Sequence, residues 1–408
     1  MANPAKLELL TRASGAADFQ IVEVESRRVY WTYKPRRLPA TEWELTAQPL
    51  GADGARYYVL KNLRLDRYLL LSAKEHFLWE YFDGRHSLDE IARAFHLTIG
   101  AFDHSLIRQF LRKLYSCGLL ETQSGTDFRP SLADVHAQGW PHRLKTGLQR
   151  WRGFSFKIPN ADRFCSQIYD CGGFLLFRPI TFWMAVGVAV VAVVLAVRDG
   201  PNAVNFAYYL KTRPFTVTGA MLLTLFAVSM MHTLVHALAC KAYGRRVREL
   251  GFFLLQGILP TWYADITDIF MSSRRARMVV DFAGPMVELV LGSAAVIGAH
   301  FAGTGSVQAV LFGIGVMLWE SVLINLYPFS FLEMDGYNIL ADLLAMPMLR
   351  QQALALAPSL RHRLRMVRSV ERAEWLQIGY LALCAVSLLV YVIAHLGAIN
   401  SLLHFSPT

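Results

Sequence analysis

The sequence predicts an α-helical polytopic membrane protein of about five to six transmembrane helices, preceded by a small α+β domain of winged-helix-like type. Three observations carry this. Of 408 residues, 54% are hydrophobic and only 18% are charged, and mean hydropathy is positive. The apolar residues gather after residue 179 in five runs near the roughly 20 residues that cross a bilayer as a helix. The first 125 residues instead alternate strand-like and capped helical pieces.

The N-terminus, MANPAKLELLTRASGAADFQ, has no continuous apolar core, so no secretory signal peptide is expected. Strand-like pieces follow: RRVYWTY (residues 27–33), then ARYYVLKNLRLDRYLLLS, which reads as a hairpin turning near Asn62 to Asp66. Ser72 with Glu75 makes a capping box, and Asp83-Gly84 ends the first helix. Ser87 with Glu90 makes a second box. A third helix places Leu106, Phe110 and Leu114 on one stripe and closes at Gly118, with a short strand after it. Three short helices with flanking strands make a winged-helix-like module over 1–125. Over residues 56–122 it resembles the PqqD family, whose members hold peptides in modified-peptide biosynthesis; the alternative is a small structural domain. DNA binding is not expected, because the third helix carries only Arg108, Arg112 and Lys113 as cations.

Residues 126–178 read as a connector punctuated by Pro130, Pro141 and Pro159. Its stretch RLKTGLQRWRGFSFKI is basic and aromatic. That composition suits an amphipathic segment on an anionic membrane surface, and equally a solvated linker.

The membrane part spans 179–403. Its runs are Ile180–Val197, Phe215–Cys240, about Phe282–Ala302, about Val307–Leu326 and about Leu376–Leu396. The excess of basic residues, 41 Lys and Arg against 31 Asp and Glu, needs no nucleic acid to explain it. Cations gather in the cytoplasmic loops of membrane proteins. Three Lys/Arg fall in 198–214, seven in 241–281 and six in 350–372. This pattern places the last two segments and the N-terminal domain in the cytoplasm and the C-terminus outside. Five cysteines without a close CxxC pair argue against a disulfide framework or a thiolate zinc knuckle.

The second run ends in SMMHTLVHALACKAYG. His232 and His236, four residues apart, share one helical face near the cytoplasmic end. Ionisable residues inside a membrane are costly and mark function by default. The pair fits two metal ligands, or two buried imidazoles satisfied by hydroxyls and carbonyls. Catalytic zinc takes three protein ligands and keeps one open position. A third ligand is available in INLYPFSFLEMDGYNILADLL, where Asp335-Gly336 opens an amphipathic helix and the glycine lets the chain turn.

Taken together, HTLVH, the following turn and loop ALACKAYGRRVRELGFFLLQGILPTWYADITDIF, AGPMVEL (Ala283–Leu289) and NLYPFSFLEMDGYNIL resemble, in this order, the site-2 protease (M50) family of intramembrane zinc metalloproteases. The similarity is to a bacterial branch of peptide zinc metalloproteases with PqqD-like N-terminal domains, and it covers roughly residues 160–400. It implies one zinc held by His232, His236 and Asp335, and Asn325 positioning the substrate backbone. It also implies a peptide or membrane-protein substrate and a place in the bacterial inner membrane.

One residue departs from that family. HExxH proteins carry a glutamate after the first histidine, which shuttles protons during hydrolysis. Here the position is Thr233, a very poor base. Other carboxylates are candidates to replace it: Glu288 and Glu320 inside the third and fourth runs, Glu333 beside Asp335, and Asp265 in the loop after the histidines. Interhelical hydrogen bonds are the simpler role for Glu288 and Glu320, and loop positioning for Asp265 and Asp268. Two functions therefore stay open. One is a zinc metallopeptidase; the other is an inactive pseudoprotease that binds peptide beside an exporter or peptide-modifying partner.

Overall fold

In the computed structural model, the described residues are 6–11, 20–25, 31–100, 104–121, 155–199, 202–255, 259–303, 305–359 and 372–404. They fall into two compact units, Met1–Ala137 and Gln138–Thr408.

In the first unit, β1 (Lys6–Thr11) and β2 (Gln20–Glu25) pair antiparallel. A separate antiparallel sheet is ordered β3 (Trp43–Ala47), β4 (Tyr57–Asn62), β5 (Arg67–Ser72). The β4–β5 register, Asn62 opposite Arg67, makes the hairpin expected from the sequence. Helices α1 (Ala73–Tyr81), α2 (Leu88–Ile99) and α3 (His104–Ser116) follow. Ser72/Glu75 and Ser87/Glu90 both form complete capping boxes. Leu60, Leu71, Trp79, Phe82, Ile91, Phe95, Phe110 and Leu114 form the core. Asn62 donates to the carbonyls of Cys117 and Gly118, at 2.9 and 2.7 Å, fastening the hairpin to the end of α3. The strand expected over 27–33 is corrected where it is described: Trp31 and Thr32 are helical, and residues 27–30 lie outside the described residues.

The second unit holds five helices long and apolar enough to cross a membrane, by length and composition: α5 (Pro179–Arg198), α7 (Pro214–Ala242), α8 (Arg274–Phe301), α9 (Ser306–Leu326) and residues Ala373–Gly397 of α12 (Arg372–His404). Preceding them is α4 (Ala161–Asp170), and α6 (Asn202–Thr212) lies between α5 and α7. A further pair, α10 (Asp335–Leu344) and α11 (Leu349–Leu356), is bent by 91° at a short break, so a sixth crossing would be a broken one. Proline opens α5 and α7, where its missing N–H costs nothing.

Two expectations need correction. The segment 198–214 is not simply a loop, because α6 occupies much of it and its Phe206 ring packs against Gly313 of α9. The described end of the connector is folded rather than a loose amphipathic tether. Ser155–Lys157 forms β6, which pairs with β7 (Glu249–Leu255); β7 pairs in turn with β8 (Leu259–Asp265). Ala161 and Cys165 of α4 are buried against the last turns of α7. The basic stretch before Ser155 lies outside the described residues.

Candidate metal centre

The end of the histidine helix α7 and the residues just beyond it are fixed by polar contacts from two segments, α4 and residues 268–272. Lys241 Nζ and the Val247 amide both donate to Asp162 Oδ1 of α4 at 2.9 Å. Burial alone would raise the Asp162 carboxyl. The Val247 amide and the Lys241 ammonium outweigh that and hold it below its usual range. Beyond the helix end, the Arg246 amide donates to Asp268, and Arg245 donates to Ser272 Oγ and the Met271 carbonyl.

One turn further into the span sit His232 and His236. His236 Nδ1 lies 2.6 Å from the Val280 carbonyl of α8. A carbonyl only accepts, so Nδ1 carries the proton and Nε2 presents a lone pair. His232 Nδ1 lies 2.8 Å from Glu288 Oε1, within ion-pair range though not aligned as a hydrogen bond. A carboxylate also only accepts, so His232 favours the same tautomer. The two Nε2 atoms then face each other at 2.9 Å. Asp335 completes the triangle, with Oδ2 3.3 Å from His232 Nε2 and Oδ1 3.6 Å from His236 Nε2.

With both rings neutral, three acceptors point at one another, an arrangement that repels unless a proton or a cation lies among them. Two zinc–nitrogen bonds of about 2.0–2.1 Å at a tetrahedral angle set the nitrogens about 3.3 Å apart. The observed separations of 2.9, 3.3 and 3.6 Å bracket that value. Gly284 of α8 leaves the room: a Cβ there would fall 2.3 Å from His236 Nε2 and 2.6 Å from His232 Nε2. The donor set, the tautomers and the cradle all fit a zinc ion. Among the described residues, no other three His, Cys, Asp or Glu side chains bring ligand atoms so close together.

Asp335 stands at the first position of α10, and two features hold it there. Gly336 is pressed against the end of α9; a Cβ on it would meet the Leu326 carbonyl oxygen at 2.2 Å. Its backbone is not left-handed, so the glycine serves close approach rather than the turn expected from the sequence. Further along α10, Asp342 takes a forked contact from the buried Arg277 of α8, with Nε 2.9 Å from both oxygens and Nη2 2.7 Å from Oδ1. The planar guanidinium suits such a grip.

The remaining candidate residues divide. Glu288 is at the site, touching His232, and Asn325 Nδ2 donates to its two oxygens at 3.1 and 3.3 Å. Thr233 is buried within α7. Three others are not brought to the histidines, because each is taken by a nearer cation or donor. Glu320 pairs with His395 of α12 at 2.8 Å, the interhelical contact that is its simpler role. Glu333 pairs with Arg350. Asp265 pairs with Arg248 at 3.0 Å and accepts from Thr267, and so positions its loop. His300 is paired with Asp199 at 2.5 Å.

Sequence reasoning missed Val280, Gly284, Asp281 and the Arg277–Asp342 pair. A helical signal was present: Asp281, Gly284 and Glu288, at i, i+3 and i+7, share one face of α8.

Compared with known proteins, a stretch of 118 residues is 27% identical to "Putative peptide zinc metalloprotease protein YydH" of Bacillus subtilis (strain 168). The match takes in 29% of this chain and 44% of that protein's length, so the chain aligns with less than half of its relative. No family model matches, and no solved structure matches.

Proposed function

We propose that this chain is a multi-pass membrane protein built as an intramembrane zinc metallopeptidase of the site-2 protease kind, with His232, His236 and Asp335 as its zinc ligands. The convergence of two Nε2 lone pairs and a carboxylate on the space left by Gly284 carries the reading. The distant relative named as a zinc metalloprotease supports it at the level of a metallopeptidase-like protein. The basic segments after α7 and after α11 favour a cytoplasmic N-terminal unit. The PqqD-like module would then deliver a peptide to the membrane half.

A zinc ion bound there would polarise a peptide carbonyl and make a water more acidic. The chain's own residues do the rest. The Nδ1 atoms of the two histidines face the Val280 carbonyl and Glu288, which leaves both Nε2 atoms for the ion. Asp335 supplies negative charge from α10. Thr233 can hydrogen-bond but has no group that takes a proton near neutral pH. A positioned acid/base is worth about 10²–10⁴-fold in rate, so slow hydrolysis at most is expected from this helix alone.

Thr233 also favours the second reading, a pseudoprotease that keeps the centre but holds or presents a peptide to an exporter or modifying partner. One experiment separates them. Zinc is measured in the purified chain, in His232→Ala and in Asp335→Ala, beside cleavage of a peptide library by the parent and by Thr233→Glu. Zinc lost from both ligand variants supports the centre, and equal zinc in all three rejects it. Cleavage by the parent supports the peptidase; cleavage only by Thr233→Glu supports the pseudoprotease.

A further inference from the structure

Glu288 is buried, 5% exposed, in the middle of a long apolar helix. An ionised carboxylate is costly there unless it is paired. Its two partners come from two other spans. Oε1 approaches His232 Nδ1 of α7 at 2.8 Å, and both oxygens accept from Asn325 Nδ2 of α9 at 3.1 and 3.3 Å. Ser321 Oγ, one turn back on α9, lies 3.4 Å from the same amide nitrogen. Among the described residues, His232 Nδ1 has no aligned hydrogen-bond partner, so this carboxylate is the acceptor within reach.

We propose that Glu288 is a positioning residue of the metal centre: held by Asn325 from α9, it fixes His232 with the Nε2 lone pair turned towards His236 and Asp335. The inference rests on the zinc reading of those three residues. Its chemistry follows from the acceptor-only character of a carboxylate. Beside His232 it places the ring proton on Nδ1, and beside Asn325 it dictates that the NH₂ end, not the carbonyl, faces inwards. The same contact gives Asn325 a different task from the one expected of it. Its amide nitrogen is committed to Glu288 rather than left to donate to a substrate.

The test is zinc affinity of the full chain in detergent, read by competition with a chromophoric chelator, together with the visible absorption of the cobalt(II)-loaded protein. Glu288→Gln is expected to weaken zinc binding about 10–100-fold, the usual cost of losing an outer partner of a ligating histidine, and to shift the cobalt bands. Glu320→Gln is the matched control, a carboxylate of the next span paired with His395. It is expected to bind like the parent. Glu288→Gln with parental affinity and parental cobalt bands would overturn the inference. His232→Ala separates the two failures. Zinc lost there but kept in Glu288→Gln overturns only the role of Glu288, whereas zinc kept in both overturns the zinc reading itself. Should Glu288→Gln fail to fold, Asn325→Ala decides: weakened zinc binding supports the inference and parental binding overturns it.

Discussion

Replacing Gly284 by alanine probes the centre without altering any ligand. The new Cβ would stand 2.3 Å from His236 Nε2 and 2.6 Å from His232 Nε2. Ordinary van der Waals contact is about 3.5 Å, so both rings must retreat by about 1 Å. His236 has little freedom to do so, because Nδ1 is tied at 2.6 Å to Val280, one turn before Gly284 on the same helix. Metal sites tolerate ligand displacements of about 0.2 Å. The required shift is about five times larger and removes one nitrogen from the set. We expect zinc affinity to fall more than about 100-fold, which is about 2.7 kcal/mol at 1.36 kcal/mol per tenfold. Helix propensity works the other way, since alanine is favoured over glycine inside a helix by about 1 kcal/mol, so helix content is not expected to drop. The assay is chelator competition for zinc beside far-ultraviolet circular dichroism on the same detergent preparation. Zinc affinity within about threefold of the parent, with unchanged helicity, would refute the reasoning that the histidines converge on the space above Gly284.

Two further outcomes follow from contacts around the centre. Gly336→Ala would drive a Cβ to 2.2 Å from the Leu326 carbonyl oxygen and lever the start of α10 away from α9. Zinc affinity is expected to fall at least about 10-fold, and parental affinity in the same chelator assay would show that the seat of Asp335 does not depend on this close approach. Asp162 should govern part of the acid limb of stability. Its folded carboxyl is held below the ordinary value, so its contribution is present above the unfolded pKa of about 4 and is lost as the pH falls through the folded value. Thermal midpoints of the parent and Asp162→Asn between pH 7 and pH 3 should therefore converge on acidification; parallel curves would remove Asp162 from the account.

How much was legible in the sequence depended on whether a signal was local. The capping boxes at Ser72 and Ser87 and the β4–β5 hairpin are set within a few residues, and they formed as read. The five apolar runs were legible because length and composition alone define a candidate span. His232 and His236 stood out because one helix carries both. What the sequence could not supply was the partner of each side chain. Glu288, Glu320, Glu333 and Asp265 look alike as carboxylates near apolar runs, yet only Glu288 faces the histidines. The others were decided by Arg248, His395 and Arg350, partners whose proximity depends on tertiary packing. Gly284 and Val280 were hidden for another reason: one contributes an absent side chain and the other a backbone carbonyl.

Thr233, where the family that the chain resembles carries glutamate, also bears on the charge of the site. Asp335 and Glu288 place two carboxyl groups beside the histidines. A glutamate at position 233 would add a third acidic side chain, on a helix segment that is buried. Such a group is tolerable beside a cation and expensive without one. Thr233→Glu should therefore make folding more dependent on zinc than it is in the parent. Chelator should lower the thermal midpoint of Thr233→Glu by more than it lowers that of the parent. A neutral Thr233 lets the parent keep its centre assembled with less reliance on metal, which suits a protein retained to bind peptide as well as one that cuts slowly. Equal chelator sensitivity in the two proteins would mean that residue 233 does not sense the charge at the histidines, and the assignment of its position as the family's base would then fail.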